Sequence, residues 1–595
     1  MNRVILRLAG AVLALDLVAG TAGADGPPRA SAPRPAPAAP FTWTGLYLGP
    51  HLGGALDRSD ISNPYGQTLF GDEIRSPGTL AGMQLGYNRQ YGALVVGVET
   101  DVSWADLDGT FTFLQPIRGQ IDVDPSFIGG AFGATCRAGV DWLGTLTGRV
   151  GAAVGPDGRM LLYAKGGLAW MHGDVSMATN NIMAGQFGPP AATSSSSFTQ
   201  WGWTVGTGLE YALAGNWSAR LEYDFLRFGS HGVATPLAAP IAQPDFQGIF
   251  QSSAPDGRRA GVEQDMHAVK LALNYRFGSG ADPRPTPAGI VVGAPGHGTS
   301  AVQIEVGGRY VHGWGRFKQD LAGSTGLPAN NSRLTWKDVE TDGGEVFWRL
   351  DTPHRVMVKG LWGTGTGNSG RINDEDWGLD REDDEGNLVL VQPYQNTVSP
   401  ADSKLRYFTV DLGYNLFAGP GYKVSPFVGY SYFRQSMSAF GVTLIDFAPP
   451  VVALPANVLV LQQFATWESL RLGTALDLWL APRLRLNADV AYLPYVHFDG
   501  VDNHPLRVGD GASTRSPQEG DGRGVQLEAT LSYALTERFN VGVGGRYWAT
   551  WIPVGETNFF SDGLFVKQRF ASEQAAQFVQ GSYKFDVPCC GWPLR

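Results

Sequence analysis

The chain has 595 residues, of which 43% are hydrophobic and 17% charged, with 80 glycines and a formal net charge of −10. This length is too great for one ordinary domain and suits two or three. The acidic balance, without any basic stripe, argues against nucleic acid as a partner. Three cysteines, two of them adjacent near the C-terminus, are too few for a disulfide framework.

The N-terminus has the pattern of a secretory signal peptide, predicted over residues 1–24. Arg3 and Arg7 supply the positive region, residues 8–18 the apolar core, and residues 22–24 the small-residue cleavage site. No later stretch reaches the roughly 20 apolar residues that a membrane-spanning helix needs. Any membrane insertion must therefore use strands that close into a barrel.

Residues 25–40 are almost wholly Pro, Ala, Arg and Ser and are predicted to be an extended tether. A first series of strand-like segments follows over residues 41–277, at 43–56, 80–89, 93–105, 138–154, 160–172, 199–213, 217–229 and 265–277. Their connections alternate between tight turns and long loops, the long ones covering 57–79, 106–137, 173–198 and 230–264. The alternation predicts an eight-stranded up-and-down barrel, with brief turns on one membrane side and extended loops on the other.

A Pro/Gly-rich linker, 278–300, leads to a second series over residues 301–586, and residues 587–595 form a C-terminal tail. Ten segments are predicted, at 302–317, 334–350, 355–365, 405–417, 423–434, 461–480, 483–498, 524–535, 539–551 and 575–585. The predicted fold class is therefore all-β: two tandem antiparallel up-and-down transmembrane β-barrels, eight-stranded and then ten-stranded. A soluble β-sandwich is the rival architecture, but it requires neither the alternation nor a signal peptide.

Two polar pairs fall at the same predicted end of the second barrel. Asp374 and Asp376 follow its third strand, and Asp502 and His504 follow its seventh. Four strands apart in a ring of ten, the two positions nearly face one another across the lumen. The two-residue spacing places both members of each pair on one face, provided that the strand continues upward.

These residue types fit a hydrolytic site. Asp502 can orient His504 and stabilise its protonated form, which leaves the other ring nitrogen to accept a proton from water. Two close carboxylates do not both ionise easily, so Asp374 and Asp376 are expected to share one retained proton. The alternative is an acidic loop beside a surface histidine. No metal is expected, because the histidines lack zinc-ligand spacing.

The first half resembles the small eight-stranded surface-antigen family of porin-like outer-membrane proteins. The motifs that carry the resemblance are Trp43-Thr44-Gly45-Leu46-Tyr47, Gly86-Tyr87-Asn88, Gly97-Val98-Glu99-Thr100-Asp101, Leu161-Leu162-Tyr163-Ala164-Lys165-Gly166-Gly167 and Asn274-Tyr275-Arg276-Phe277. It implies a structural or surface role, in a barrel narrow enough to be filled by its own side chains.

The second half resembles the omptin family of outer-membrane proteases. The matching motifs, in order, are Ser332-Arg333-Leu334-Thr335-Trp336-Lys337, Trp348-Arg349-Leu350, Asp374-Glu375-Asp376-Trp377 with Asp380, Asp411-Leu412-Gly413-Tyr414, and Asp502-Asn503-His504. The resemblance implies an aspartic-type endopeptidase without a cofactor, dependent on bound lipopolysaccharide as an activator. It assigns the catalytic roles to Asp374, Asp376, Asp502 and His504, in a groove that faces the cell exterior.

The family also has an acid on its first strand and another two residues before the dyad aspartate, which favour cleavage beside basic residues. In this chain the second position is Gly500, and the first strand offers Arg316 and Lys318. Asp499 is the remaining candidate for substrate binding, and a preference for dibasic sites is in doubt.

The resulting hypothesis is an outer-membrane endopeptidase that acts on peptide or protein substrates, embedded in outer-membrane lipid and lipopolysaccharide, and fused to a structural surface barrel. A catalytically inactive surface or adhesion protein is the alternative. A passive pore is a third possibility, which predicts ion conductance.

Overall fold

The computed structural model describes residues 41–62, 74–116, 131–155, 158–179, 193–236, 259–277, 301–322, 330–382, 388–419, 421–444, 454–507, 513–561 and 563–588. The predicted signal peptide, tether and linker lie outside these ranges, as do the tail beyond residue 588 and both of its cysteines. Within the described ranges, no helix is long and apolar enough to cross a membrane.

The first half forms a closed eight-stranded barrel, as the sequence predicts. Each strand pairs with its neighbours in chain order, and β1 closes the ring by pairing with β8. The strands are β1 (Gly45–Ile61), β2 (Ile74–Tyr91), β3 (Leu94–Pro116), β4 (Ala131–Val154), β5 (Met160–Thr179), β6 (Thr193–Ala212), β7 (Trp217–Val233) and β8 (Ala260–Phe277).

The second half forms a ring of ten long strands, which confirms the predicted strand number. The ring runs from β12 through β11, β10, β9 and β19 to β14, and a β12–β14 pairing closes it. The strands are β9 (Ala301–Ala322), β10 (Asn330–Asp351), β11 (Val356–Glu382), β12 (Leu388–Tyr414), β14 (Tyr422–Leu444), β15 (Leu454–Ala481), β16 (Leu484–Asn503), β17 (Arg515–Ala534), β18 (Phe539–Phe559) and β19 (Leu564–Pro588). A three-residue strand, β13 (Phe417–Gly419), extends the turn before β14.

The strands are longer than their sequence pattern predicts. The expected loop over 366–404 is mostly strand, because β11 and β12 contain 27 residues each. A membrane-crossing strand needs only about 9–11 residues. The alternation of apolar and polar residues ends where lipid ends, whereas the hydrogen-bond ladder continues into water. We call the end of the barrels with the tight turns the short-turn end, and the opposite end the long-strand end.

The outward faces of both barrels are apolar, as lipid contact requires. Large exposed hydrophobic side chains occur on most strands of the two rings, for example Leu48, Val98, Leu146, Trp203, Tyr310, Trp362, Leu412, Val428, Leu472, Tyr495, Val543 and Val579.

The interior of the first barrel is filled by a buried ionic network, as expected for a barrel of this size. Lys165 Nζ lies 2.7 Å from Glu222, and Arg149 lies 2.9 Å from Glu210. Lys270 bridges Asp101 at 3.0 Å and Asp224 at 3.1 Å. All of these side chains are almost fully buried, and each charge has an opposite charge within reach, which offsets the cost of desolvation.

The interior of the second barrel is layered along its axis. Ion pairs occupy the short-turn half, such as Arg309–Glu345 at 2.7 Å. Aromatic side chains follow towards the long-strand end, with Phe498 between Trp467 (ring centroids 4.5 Å apart) and Phe570 (4.3 Å). Beyond them the polar pairs identified in the sequence project into the same lumen.

The two barrels pack side by side. At the short-turn end the contact is apolar, with Leu213 and Leu271 of the first barrel in one buried cluster with Val424 and Leu478 of the second. At the long-strand end it is ionic. Pairs there include Arg75–Glu573 at 2.7 Å, Asp106–Arg523 at 2.8 Å and Asp108–Arg569.

Candidate active site

A β-bulge in β11 turns Asp374 and Asp376 into the lumen. Five residues of β11, Gly367 to Arg371, span only four of β12, Pro400 to Ser403, and Gly370 adopts a φ of +153° at this point. Below the bulge, odd-numbered residues such as Leu361 face inward. One extra residue reverses the faces, so that the even-numbered Ile372 packs in the interior aromatic cluster. Asp374 and Asp376 continue that inward row.

A second bulge acts in the same way on the opposite wall. In β16 the register shifts between Leu493 and Val496, and above it Phe498 and Asp502 are buried inside the barrel. His504 follows directly after the strand. Its Nδ1 lies 3.7 Å from Asp502 Oδ1, and the His504 side chain is 35% exposed whereas that of Asp502 is 11% exposed.

The four predicted residues come together at one depth of the barrel. Asp374 lies eighteen residues beyond the first residue of its strand (356 to 374), and Asp502 lies eighteen beyond the first of its own (484 to 502). Both positions are past the roughly 9–11 residues that cross a membrane. Across the lumen, Asp374 interacts electrostatically with Asp502, and Asp376 interacts with both Asp502 and His504.

Burial and mutual repulsion favour the neutral form of these carboxyl groups. Burial, followed by the charges of Asp376 and Asp502, raises the pKa of Asp374 well above its ordinary value. Burial also raises the pKa of Asp376, to about 6, against the opposing effect of a hydrogen bond from the Ser332 hydroxyl and the nearby His504. At neutral pH the retained proton is therefore on Asp374, which leaves Asp376 ionised.

Three of the four side chains have a buried polar atom that no described protein group satisfies: Asp374 Oδ1, Asp502 Oδ1 and His504 Nδ1. Buried polar groups are usually hydrogen-bonded. Unsatisfied atoms on three side chains of one cluster indicate a site built to hold water or a polar ligand. Among the described residues, no group of three or more His, Cys, Asp or Glu side chains has the arrangement of a metal site.

Two further residues complete the site, and neither was assigned a role from the sequence. Ser332, opposite Asp376 on β10, donates to the Asp376 carboxylate. Phe560 lies in the β18–β19 turn and contacts the His504 ring edge-on, with centroids 5.9 Å apart. The Arg507 guanidinium stacks on the Phe560 ring at 3.2 Å from its centroid. Ser332 was visible as part of a motif, but no local pattern points to Phe560.

Other residues considered in the sequence lie elsewhere. Asp499 is exposed on the outer face of β16, opposite in direction to the buried Phe498 and Asp502, so it does not line the cleft. Arg316 and Lys318 also lie on an outer face, because the inward positions of β9 are Phe317 and Gln319, both fully buried. The strand alternation turns all three residues outward, so Asp499 does not have the position that its predicted role in substrate binding requires.

The remaining histidines of the second barrel are also away from the cleft. His312 and His497 lie on outer faces, where they hydrogen-bond Asp342 and Asp521 at 2.8 Å each. His354 lies in a tight turn at the short-turn end.

Comparison with known proteins identifies the family. The family described as outer membrane protein beta-barrel domain matches residues 30–277. The 22 kDa outer membrane protein of Rhizobium leguminosarum bv. viciae is 30% identical over 192 residues, which cover 32% of this chain and 69% of that protein. The chain belongs to the outer-membrane β-barrel protein family.

The 31 kDa outer-membrane immunogenic proteins of Brucella melitensis and Brucella suis are also similar to this outer-membrane β-barrel protein. Each is 28% identical over 292 residues, which cover 47% of this chain and 100% of the relative. Among solved structures, the outer membrane protease OmpT of Escherichia coli matches with a TM-score of 0.39 and 14% identity, over 48% of this chain and 97% of that one. The attachment invasion locus protein Ail of Yersinia pestis matches with a TM-score of 0.18 and 13% identity, over 39% and 99%.

Proposed function

We propose that the second barrel is an omptin-like endopeptidase that hydrolyses peptide bonds at its long-strand end, on the cell exterior. The observation that carries this proposal is the meeting of Asp374, Asp376, Asp502 and His504 in one partly buried cluster above the membrane-crossing part of the barrel. A pair of carboxyl groups and an Asp–His pair are the groups that a water-based hydrolysis requires. The resemblance of the sequence motifs to omptins supports the same roles.

In the proposed mechanism a water molecule between His504 and Asp374 is the nucleophile. The Nδ1 of His504 faces Asp502, so Nε2 accepts the water proton as the oxygen attacks the carbonyl carbon. Asp502 and the ionised Asp376 stabilise the imidazolium that forms. Collapse of the tetrahedral intermediate breaks the C–N bond, and the imidazolium returns its proton to the leaving amine.

Asp374 has a different role because it retains a proton at neutral pH. Its carbonyl oxygen accepts a hydrogen bond from the attacking water, and its O–H donates to the developing oxyanion. A donor fixed in a partly desolvated site stabilises that negative charge more strongly than water does.

The proposed partners follow from the location. The substrate is a peptide or protein that reaches the cell surface, since the cluster lies beyond the lipid-crossing part of the strands. The barrel is in contact with outer-membrane lipid, and lipopolysaccharide is proposed as an activator. The chemistry above needs no cofactor.

The test is cleavage of a quenched fluorescent peptide library by the full chain, refolded with and without lipopolysaccharide. His504→Ala should lower the rate by ~10²–10⁴-fold, the usual contribution of a general base. His497→Ala is the matched control, because it removes an imidazole from the outer face of β16, the strand that His504 directly follows. Equal rates for His504→Ala and the unaltered protein would contradict the proposed base.

A surface role without catalysis is the second candidate. It is favoured by two relatives that are described as immunogenic outer-membrane proteins. It is also favoured by the first barrel, whose interior is filled by the ionic network and offers no cleft. Absence of turnover for every peptide, with or without lipopolysaccharide, would favour this candidate for the whole chain.

A further inference from the structure

We infer that the cleft selects an uncharged substrate side chain next to the scissile bond, and that four buried glutamines form the floor of the pocket that receives it. The inference rests on the proposed function and specifies its substrate class. The four residues, named here the amide ring, project inward from four strands: Gln319 of β9, Gln463 of β15, Gln518 of β17 and Gln568 of β19.

Three members of the amide ring form a closed cycle of hydrogen bonds across the lumen. Gln319 Nε2 donates to Gln463 Oε1 at 2.8 Å, and Gln463 Nε2 donates to Gln518 Oε1 at 2.9 Å. Gln518 Nε2 completes the cycle by donating to Gln319 Oε1 at 2.7 Å. Gln568 joins it by donating to Gln319 Oε1 at 3.1 Å and accepting from Thr557.

The amide ring lies directly against the catalytic cluster. Gln463 is the cross-strand partner of Asp502, and directly paired residues have Cβ atoms about 4.5–5.5 Å apart on one face of the sheet. On the other wall, Leu334 pairs with both Gln319 and Asp374. A side chain that extends inward from a peptide bound at the cluster therefore meets the ring.

The ring presents no charge and little spare hydrogen-bonding capacity. Each amide oxygen accepts from the ring or from the Thr557 hydroxyl, and each amide nitrogen donates within the ring or to Phe464 O. All four side chains are at most 3% exposed. Below the ring lie the aromatic side chains of Phe317, Trp467 and Phe498, which offer no counter-charge either.

The one inward position of β16 between Phe498 and Asp502 is also closed to a charged side chain. It is Gly500, and a Cβ added there would meet the Phe498 ring at 2.6 Å and Gln518 Oε1 at 2.9 Å. The space beside the floor is thus already filled by the aromatic ring and the amide. A carboxylate at this position would require both neighbours to move.

The consequence for a substrate follows from desolvation. The carboxyl groups of the cluster lie above the ring, where Asp374 keeps its proton and Asp376 interacts with Ser332 and His504. A lysine or arginine side chain pressed against the amide ring would therefore lose water without gaining an anionic partner of its own, and burial of an unpaired charge is costly. An uncharged side chain loses little hydration free energy and gains apolar contact with the aromatic layer beneath the ring. We expect neutral residues to be favoured over basic ones by at least about 10-fold.

The test measures binding, which does not depend on turnover. The full-length His504→Ala variant, in lipid nanodiscs with lipopolysaccharide, is titrated with Gly/Ser octapeptides that carry one variable residue: Leu, Gln, Lys or Arg. The inference predicts Kd values for the Leu and Gln peptides that are at least about 10-fold lower than for the Lys and Arg peptides. Equal or tighter binding of the basic peptides, or no binding of any peptide, would overturn it.

A charge placed in the ring should reverse the preference. Gln568→Glu keeps the hydrogen bonds that this side chain accepts from Thr557 and, at 3.5 Å, from Gln518, and loses only its donation to Gln319, so it is the mildest such change. It should strengthen binding of the Lys peptide relative to the Leu peptide by about 10-fold. Gln577→Glu is the matched control, because it makes the same change on the outer face of the same strand and should leave the ratio unaltered.

Wild-type turnover separates this inference from the proposed function. Selective binding of neutral peptides with no hydrolysis by the wild-type protein would remove the protease proposal and leave the pocket assignment standing. Hydrolysis with a preference for Lys or Arg would do the reverse.

Discussion

The protonation of Asp374 is decided first by its burial and then by the neighbouring charges of Asp376 and Asp502. It is held in the same lumen as Asp376 and Asp502, and three carboxyl groups in a partly buried space do not all ionise at neutral pH. Asp338 of β10, in contrast, is exposed at the surface, where it pairs with Arg371. The site therefore keeps a hydrogen-bond donor at a pH where aspartate is normally only an acceptor.

This arrangement makes stability depend on pH. The folded-state pKa of Asp374 is raised, so the folded protein holds a proton that the unfolded chain releases above pH about 4. Its contribution to stability is complete below that pH and is lost as the pH rises towards the folded-state pKa. Asp374→Asn should therefore reduce the loss of stability between pH 5 and pH 8, measured as the urea unfolding midpoint in detergent.

The control for that measurement is Asp338→Asn, which changes an exposed acid of the neighbouring strand. It should keep the pH dependence of the unaltered protein. An Asp374→Asn variant with the same slope would show that this carboxyl group titrates normally.

At the scale of the element, the β18–β19 turn positions the His504 imidazole, the proposed general base. Phe560 and Ser561 have φ values of +48° and +58°, a left-handed conformation that is unfavourable for residues other than glycine. The turn is fixed to β17, because Phe560 N donates to Ser516 Oγ and Ser561 Oγ donates to Arg515 O, at 3.0 Å each. These two hydrogen bonds offset the energetic cost of the backbone conformation and hold the Phe560 ring against His504.

Phe560 is therefore expected to act as a positioning residue. Phe560→Ala should lower kcat by up to about 10²-fold, because small displacements of a catalytic group are costly, with less change in KM. Phe560→Tyr keeps the ring and should restore most of kcat. Phe565→Ala, which removes an exposed phenyl ring from the start of β19, should have little effect; a similar loss for both alanine variants would point to general damage to the turn.

The sequence predicts the number of strands and the positions of the tight turns, because turn residues and lipid-facing alternation are local signals. The bulges in β11 and β16 are not local. Counting alternate inward and outward positions without these bulges would place Asp374, and the residues of β16 beyond its bulge, on the wrong face of the sheet. The spacing Asp374–Asp376 and Asp502–His504 nevertheless identified the cluster, since a bulge below a pair moves both members together.

The amide ring could not be predicted from the sequence. Gln319, Gln463, Gln518 and Gln568 are separated by up to 249 positions, and nothing local distinguishes them from outward-facing glutamines such as Gln577. Their role depends on the register among β9, β15, β17 and β19. Such contacts between distant strands are set by the closed ring and are visible only in the structure.

At the scale of the whole molecule, the first barrel packs against β19, one of the strands that contribute to the amide ring, and stabilises it. Glu573 of β19 pairs with Arg75 of β2 at 2.7 Å, and both side chains are less than 10% exposed. Gln568, five residues away on β19, belongs to the amide ring. The first barrel thus supports the proposed site from outside the lumen.

A double-mutant cycle tests this support. Arg75→Gln and Glu573→Gln, alone and combined, should give a coupling energy of about 1–3 kcal/mol in urea unfolding of the full chain. The exposed pair Lys567–Glu556 of the second barrel is the reference, with an expected coupling below about 1 kcal/mol. Strictly additive effects of Arg75→Gln and Glu573→Gln would mean that the buried contact contributes nothing to the union of the two barrels.

The stacked aromatic and glutamine layers also determine where the products of the proposed hydrolysis would go. The hydrogen-bonded amides and the packed aromatic rings close the lumen of the second barrel, so peptide fragments have no route through it. Both halves of a cleaved chain would therefore return to the surrounding medium. Digestion at this surface would therefore disarm or reshape extracellular proteins, whereas feeding on them would require a separate importer.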